Sequence, residues 1–348
     1  MASVAQRGAR PSRRSVLSAL GIGAGFMTLS GCGALGADGA EFSITAGHAT
    51  STDHFHHRSF LKFKELVEER SSGRIAVSVY PNEVFGGDRE LIEAVQLGNL
   101  ELAAPSSSPL AAFAPEMNVW DLPYLFDDRD HAYRVLDGEY GTRLLDDLTR
   151  FRIKGLGYWE NGFRNLTTSG RTIESPEDLR GLSLRTLENA VQMRAWNATG
   201  ANPTPMAFGE VYIGLQQGTI DAQENPLPLI ESQRFYEVQR ELVISEHVYT
   251  PTPLILSSTF FDQLPADLQD VVEQAGADSV TYCREQAVVD NERARETIEA
   301  AGVNVSELDE ETRGELGALM QEAAEPFVRS IVGDASVDEL LETVEAER

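Results

Sequence analysis

Residues 218–230, GTIDAQENPLPLI, set Asp221, Gln223, Glu224 and Asn225 almost side by side, broken only by Ala222 and closed by Pro226. Four hydrogen-bonding side chains in such close order suggest that a polar molecule is held there. Two arginines offer the matching charge. Arg164 lies between YWENGF and NLTTSG, an aromatic and turn-rich setting, and Arg185 ends the short run LSLR. A planar guanidinium at a strand end, facing a cleft, can form two parallel hydrogen bonds to a carboxylate. Either arginine could equally be half of a structural ion pair. The chain carries a net charge of −26, so a cation in an apolar setting would be the main attraction for an anionic ligand.

Other chemistries find less support. The sequence has no Gly-Lys-Ser phosphate loop, no GxGxxG after a strand, no HExxH and no GxSxG. No cofactor is expected. His54, His56 and His57 follow Asp53 at the expected start of a helix. His54 and His57 have a spacing that a metal site on a helix can use, but surface histidines at a helix start are the simpler expectation. A polyanion of this kind is a poor nucleic-acid binder. Of two cysteines, Cys283 falls in a helical pattern and is expected to be a small buried apolar residue.

The elements that must position these residues alternate between strand and helix. A strand is expected over 41–49, a helix over 54–70, a strand over 74–80, a helix from Asp88 as its cap through Leu97, and a short strand over 100–105. One helix is expected over 131–148, with strand material over 153–159. Beyond it, a strand at 183–186, helices over 190–199 and 209–217, and strands near 242–244 and 254–258 repeat the pattern. Such alternation implies parallel sheets flanked by helices, in an α/β chain of two lobes with chain crossings near 162 and 250. Ligands of such sheets sit at the carboxyl ends of the strands, in the cleft. The expected lobes are 41–162 with 251–290, and 163–250 with 291–348. A helical pattern over 265–301 is long enough to brace both, and the acidic tail over 306–348 reads as helical.

Residues 1–31 hold four arginines and no acid, followed by an uncharged, Gly- and Ala-rich run. That is the plan of an export signal, and its apolar centre is short for a membrane-spanning helix. Ser12, Arg13, Arg14, Val16 and Leu17 resemble a twin-arginine signal. Leu29, Ser30, Gly31 and Cys32 resemble a lipobox, which makes Cys32 the expected lipidation site, residues 32–40 a linker and the remainder an extracytoplasmic, membrane-anchored domain.

The segment SLRTLENAVQMRAWNATGANPTPMAFGEVYIGLQQGTIDAQENPLPLI, with GGDRELIEAVQLGNLELA, DLPYLF and GFRNLTTS, resembles the DctP family of substrate-binding proteins that serve TRAP transporters. The resemblance implies a type II-like, two-lobe periplasmic binding fold of the cluster D kind, a monomer that delivers an organic acid to a membrane permease and performs no catalysis. It implies that Arg185 grips the ligand carboxylate, that Asn225 assists, that Arg164 belongs to the site and that Phe208 packs on the ligand. Glu224, beside an anionic ligand, must then meet hydroxyls or another arginine. Glu188 stands where sialic-acid binders of the family carry asparagine, and with Glu160 it would offer acceptors for hydroxyls. PSSS at 105–108 replaces a glutamate of those binders. LENAVQM looks more like relatives that bind uronates, aldonates or diketogulonate, so a hexose-derived sugar acid is expected, with a C4-dicarboxylate second. His48 and Asp88 are candidate contacts from the first lobe. The rival from another class is a sugar-acid lyase or isomerase with Glu160 or Glu188 as base.

Overall fold

The computed structural model describes residues 39–348; the expected signal, Cys32 and most of the linker lie outside the described residues. The described strands are β1 (Phe42–Gly47), β2 (Ile75–Tyr80), β3 (Leu102–Ala103), β4 (Ile153–Phe163), β5 (Asn165–Thr168) and β6 (Ser183–Thr186). They continue with β7 (Asn202–Pro205), β8 (Ala222–Asn225), β9 (Glu241–Ile244), β10 (Tyr249–Ser257) and β11 (Asn304–Glu307). One sheet has the order β2-β1-β3-β10-β4 and the other β11-β9-β5-β8-β6-β7.

The sheets are mixed, not parallel as strand–helix alternation implied. β1 pairs parallel with β2 and β3, but β10 runs antiparallel to β3 and β4. In the second sheet β5 is antiparallel to both β8 and β9. The reversal arises from chain passages between the sheets. β4 leaves the first sheet and continues through Arg164 into β5; β9 leaves the second sheet and returns through residues 245–248 into β10. The two passages touch where the Arg164 N–H donates to the Val248 carbonyl at 2.9 Å.

The helix Ala266–Ala300 connects both regions, and at 1.5 Å per residue its 35 residues extend about 50 Å. Its Leu268, Val272, Cys283 and Ala287 pack with Ile44, Phe60, Trp159 and Leu254 under the first sheet. Its Ala294 and Ile298 pack with Val211, Leu215 and Leu242 under the second. Burial pushes the Cys283 thiol up to about 12, which keeps it protonated and inert.

The single helix expected over 131–148 is two helices, Arg129–Asp137 and Glu139–Asp147. Gly138 adopts an extended conformation between them, and a Cβ on Gly141 would stand 2.1 Å from the Leu136 carbonyl oxygen. The second helix therefore abuts the backbone of the first at a place only glycine permits. In the tail, β11 pairs parallel with β9 before two further helices, Glu310–Val332 and Asp334–Ala346. None of the described helices is long and apolar enough to cross a membrane.

Candidate functional site

Arg185 is the third residue of β6, where it faces Thr204 of β7 and Gln223 of β8 in register. Its side chain is 1 % exposed. Nε and one terminal nitrogen donate to the Met206 carbonyl at 3.0 and 2.8 Å, which fixes the guanidinium plane. The other terminal nitrogen, Nη1, is buried without a partner. Burial lowers the pKa to about 10, with Glu224 opposing that fall and Arg164 reinforcing it, so the group is still a cation at neutral pH. A buried cation satisfied only by a neutral carbonyl is poised for an anion.

Arg164 has a different environment. It sits on the passage between β4 and β5, fully buried, with Nε 2.5 Å and Nη2 2.9 Å from the Glu224 carboxylate. Nη2 also donates to Asn225 Oδ1 at 3.1 Å, and Nη1 is left free. His247, on the returning passage, lies 3.1 Å from Glu224 through Nε2, with Ser245 on its other nitrogen at 2.9 Å. Burial would raise the Glu224 pKa, but the Arg164 charge and the bonds from His247 and Arg164 overcome it and hold the carboxyl down at about 2. Glu224 is therefore matched by an arginine, one of the two options its place beside an anion allowed. The pair joins the second sheet to both passages.

The rest of the opening segment is a chain of amides. Asn225 Nδ2 donates to Gln223 Oε1 at 2.5 Å, and Gln223 Nε2 donates to Thr167 Oγ1 at 2.8 Å. The Thr167 hydroxyl donates onward to Gln239. β8 thus carries a buried polar face because each amide satisfies its neighbour, and Pro226 ends it by opening the helix Leu227–Ser232.

The cleft itself has a chamber of about 440 Å3, its open mouth included, lined in part by His48, Ser106, Asn161, Arg164, Asn225 and Thr252. A narrower pocket of about 290 Å3 around Arg185 and Glu188 shares Asp88, Leu187 and Phe208 with it. Phe208 is half-buried and meets Phe235 edge-on, with ring centres 6.1 Å apart. Glu188 is exposed at the pocket rim. Asp88 is the first residue of the helix Asp88–Leu97, not its cap; Gly87 holds the cap position, and the Asp88 carboxylate accepts from the Ser106 N–H at 3.0 Å. Burial raises Asp88 to about 6, with the Ser106 bond opposing.

Glu160 does not line the chamber. Its carboxylate accepts from Arg129 Nε at 2.7 Å and from the Tyr133 hydroxyl, which turns it out of the cleft. An ion pair consumes the acceptors that were expected to meet ligand hydroxyls. Glu83 was not anticipated: two successive positive φ angles at Asn82 and Glu83 carry its carboxylate across to the Gly209 N–H at 3.0 Å. The only sequence signal was the turn-forming PNE after β2.

His54 and His56 are buried rather than on the surface, and His57 is half-buried. His54 Nδ1 caps the first helix by accepting from the His56 N–H, and His57 Nδ1 lies 3.0 Å from His48 Nε2, so the pair spaced for a metal is drawn to different partners. His56 donates to the Glu160 carbonyl at 2.7 Å, and His48 stacks on Phe60. Burial, then the neighbouring His56 and His57, brings His48 down to about 3; burial, against the Glu160 carbonyl bond, brings His56 down to about 4. Both are neutral at pH 7. Their contribution to stability is fully present above the unfolded value of 6.5 and is lost as pH falls towards 4 and 3. At pH 5 each costs roughly 2 kcal/mol, because the unfolded chain takes the proton and the folded chain does not. The urea midpoint is expected to fall between pH 7 and pH 5, and His56→Gln should flatten that slope; an unchanged slope would contradict the assignment.

Residues 46–331 match the family model described as bacterial extracellular solute-binding protein, family 7, also called DctP. The chain belongs to this family. It is 33% identical to the 2,3-diketo-L-gulonate-binding periplasmic protein YiaO of Escherichia coli, over 88% of this chain and 93% of that protein. It is 37% identical to the C4-dicarboxylate-binding periplasmic protein DctP of Rhodobacter capsulatus, over 74% and 78%. A crystal structure of the sugar acid binding protein DctPAm of Advenella mimigardefordensis with galactonate superposes with a TM-score of 0.85, at 36% identity, over 88% of this chain and 98% of that one. The protein is a TRAP solute-binding protein for organic acids, with the two-lobe fold of that family, and it is not an enzyme.

Proposed function

We propose that this family 7 protein binds a hexose-derived sugar acid, holds its carboxylate on Arg185, and delivers it to a TRAP permease in the membrane. The observation that carries the reading is the Arg185 guanidinium, buried, fixed by a carbonyl and without a carboxylate at ion-pair distance among the described residues. A ligand carboxylate would supply the missing counter-charge, and the free Nη1 atoms of Arg185 and Arg164 would add donors. Phe208 packs on the ligand body, Asn225 is fixed beside it through Arg164, and Glu188 meets hydroxyls from the rim. Closure is a hinge motion about the passages at Arg164 and residues 245–248, with Glu83 on Gly209 fastening the mouth. Micromolar affinity needs only about −8 kcal/mol, within reach of one bidentate pair and several hydrogen bonds.

The likeness to DctPAm and YiaO supports a sugar acid, and the relative from Rhodobacter capsulatus supports a C4-dicarboxylate as the second reading. The arginines at 13 and 14 and Leu29 to Cys32 support export by the twin-arginine route and a lipid anchor on Cys32. Calorimetric titration of residues 39–348 with aldonates, uronates and C4-dicarboxylates tests the proposal. Binding of an aldonate or uronate supports it; binding of C4-dicarboxylates alone replaces the substrate and keeps the carrier.

A further inference from the structure

We propose that Asn161, Thr252 and Ser106 form a neutral hydroxyl-binding pole, so that this cleft takes acids with one carboxylate and a polyhydroxyl tail and rejects acids charged at both ends. The inference rests on the reading of Arg185 as the carboxylate site and adds what the rest of the chamber demands.

Asn161 reaches the cleft through a β-bulge. In the pairing of β4 with β10, Gly162 stands opposite Thr250 and Glu160 opposite Pro251, so Asn161 has no counterpart. Pro251 has no N–H to offer a ladder, and the next residue, Gly162, has a φ of +116°, a backbone that favours glycine. An extra residue in one strand bends it and re-aims its side chain. Glu160, one residue earlier, is turned the other way onto Arg129 and Tyr133. Asn161 is 5 % exposed and lines the chamber, and its Oδ1 has no partner.

The same chamber is lined by two more buried oxygens without partners, Thr252 Oγ1 and Ser106 Oγ. Buried polar atoms are nearly always hydrogen-bonded, and three orphans on residues that line one chamber call for a ligand that brings hydroxyls. The charges around them exclude a second carboxylate. Among the described residues Arg164 is the only arginine or lysine lining that chamber; its Nη1 is a free donor, but Glu224 already compensates its charge. His48 and His56 are neutral at physiological pH, and Asp88 adds negative charge. A carboxylate placed there would be desolvated with no free counter-charge, whereas a hydroxyl can donate to Asn161 Oδ1 and exchange bonds with both side-chain hydroxyls.

The test compares D-galactonate, D-galactarate, which carries a carboxylate at each end of the same carbon chain, and succinate by calorimetry. Galactonate should bind at least ~100-fold more tightly than either diacid. Thr252→Val and Asn161→Leu, which keep the number and branching of side-chain heavy atoms, should each weaken galactonate about 10-fold by removing one hydrogen bond from a buried site, with thermal melts confirming the fold. If either variant fails to fold, the comparison of the three acids on the unaltered protein still decides. Equal or tighter binding of galactarate or succinate overturns the neutral pole, as does binding of none of the three. Loss of galactonate binding in Arg185→Ala, alongside equal galactarate binding by the unaltered protein, would sink the pole and spare the carboxylate site; galactonate binding that survives Arg185→Ala would sink the carboxylate site itself.

Discussion

Replacing Arg185 by alanine is expected to lower the affinity for the sugar acid by roughly 100- to 5000-fold, the effect of truncating one partner of a buried charge pair, about 3–5 kcal/mol. The ligand carboxylate would enter a water-poor cleft and find no counter-charge. The unliganded protein should respond in the opposite sense. Arg185 is buried with only the Met206 carbonyl as acceptor, and burial already lowers its pKa to about 10. Its charge is thus a cost to the empty fold. Arg185→Met, which keeps most of the volume, should therefore melt no lower than the unaltered protein while losing the ligand. Melting temperature and calorimetric affinity measured on the same preparations check this. A variant that unfolds, or one that binds as before, would make Arg185 a structural residue.

Glu224→Ala should behave as the inverse case, a large loss of stability. Glu224 and Arg164 are both fully buried, and removing the carboxylate leaves the guanidinium between the two chain passages without compensation. Breaking such a pair costs about 3–5 kcal/mol, a drop in melting temperature on the order of 10 °C for a protein of this size. The Asn225 contact and the His247 bond would be disturbed with it, since both are held by the same two side chains. The double variant Arg164→Met, Glu224→Met should recover much of the stability, because two apolar side chains need no compensation. A single variant as stable as the unaltered protein would mean that the pair does not hold the two passages together.

The two arginines show how far residue types alone could be followed. Both read from sequence as either a ligand grip or a structural pair, and the structure separates them: Arg164 has Glu224, and Arg185 has only a carbonyl. Nothing local in GFRNL or LSLR distinguishes these outcomes, because the partner of Arg164 is sixty residues away. Most helices were legible from their apolar period, the long helix to within a residue at each end. The direction of β5 and β10 was not, because strand–helix alternation cannot reveal a strand that crosses to another sheet. Glu160 was misplaced for a related reason. Residue type and family likeness carry no strand register, and the bulge at Asn161 sets that residue toward the chamber while Glu160 turns onto Arg129 and Tyr133. His247 left no trace in the sequence, since SEHVY resembles an ordinary loop and its value lies in meeting Glu224 across the passage between β9 and β10.

The most direct measurement is a pair of titrations on the unaltered protein, D-galactonate against D-galactitol, the same chain with an alcohol where the carboxylate stood. Galactonate is expected to bind at about micromolar levels and galactitol at least ~100-fold more weakly. Equal binding of the two would contradict the claim that an unpaired, buried Arg185 is there to receive a carboxylate.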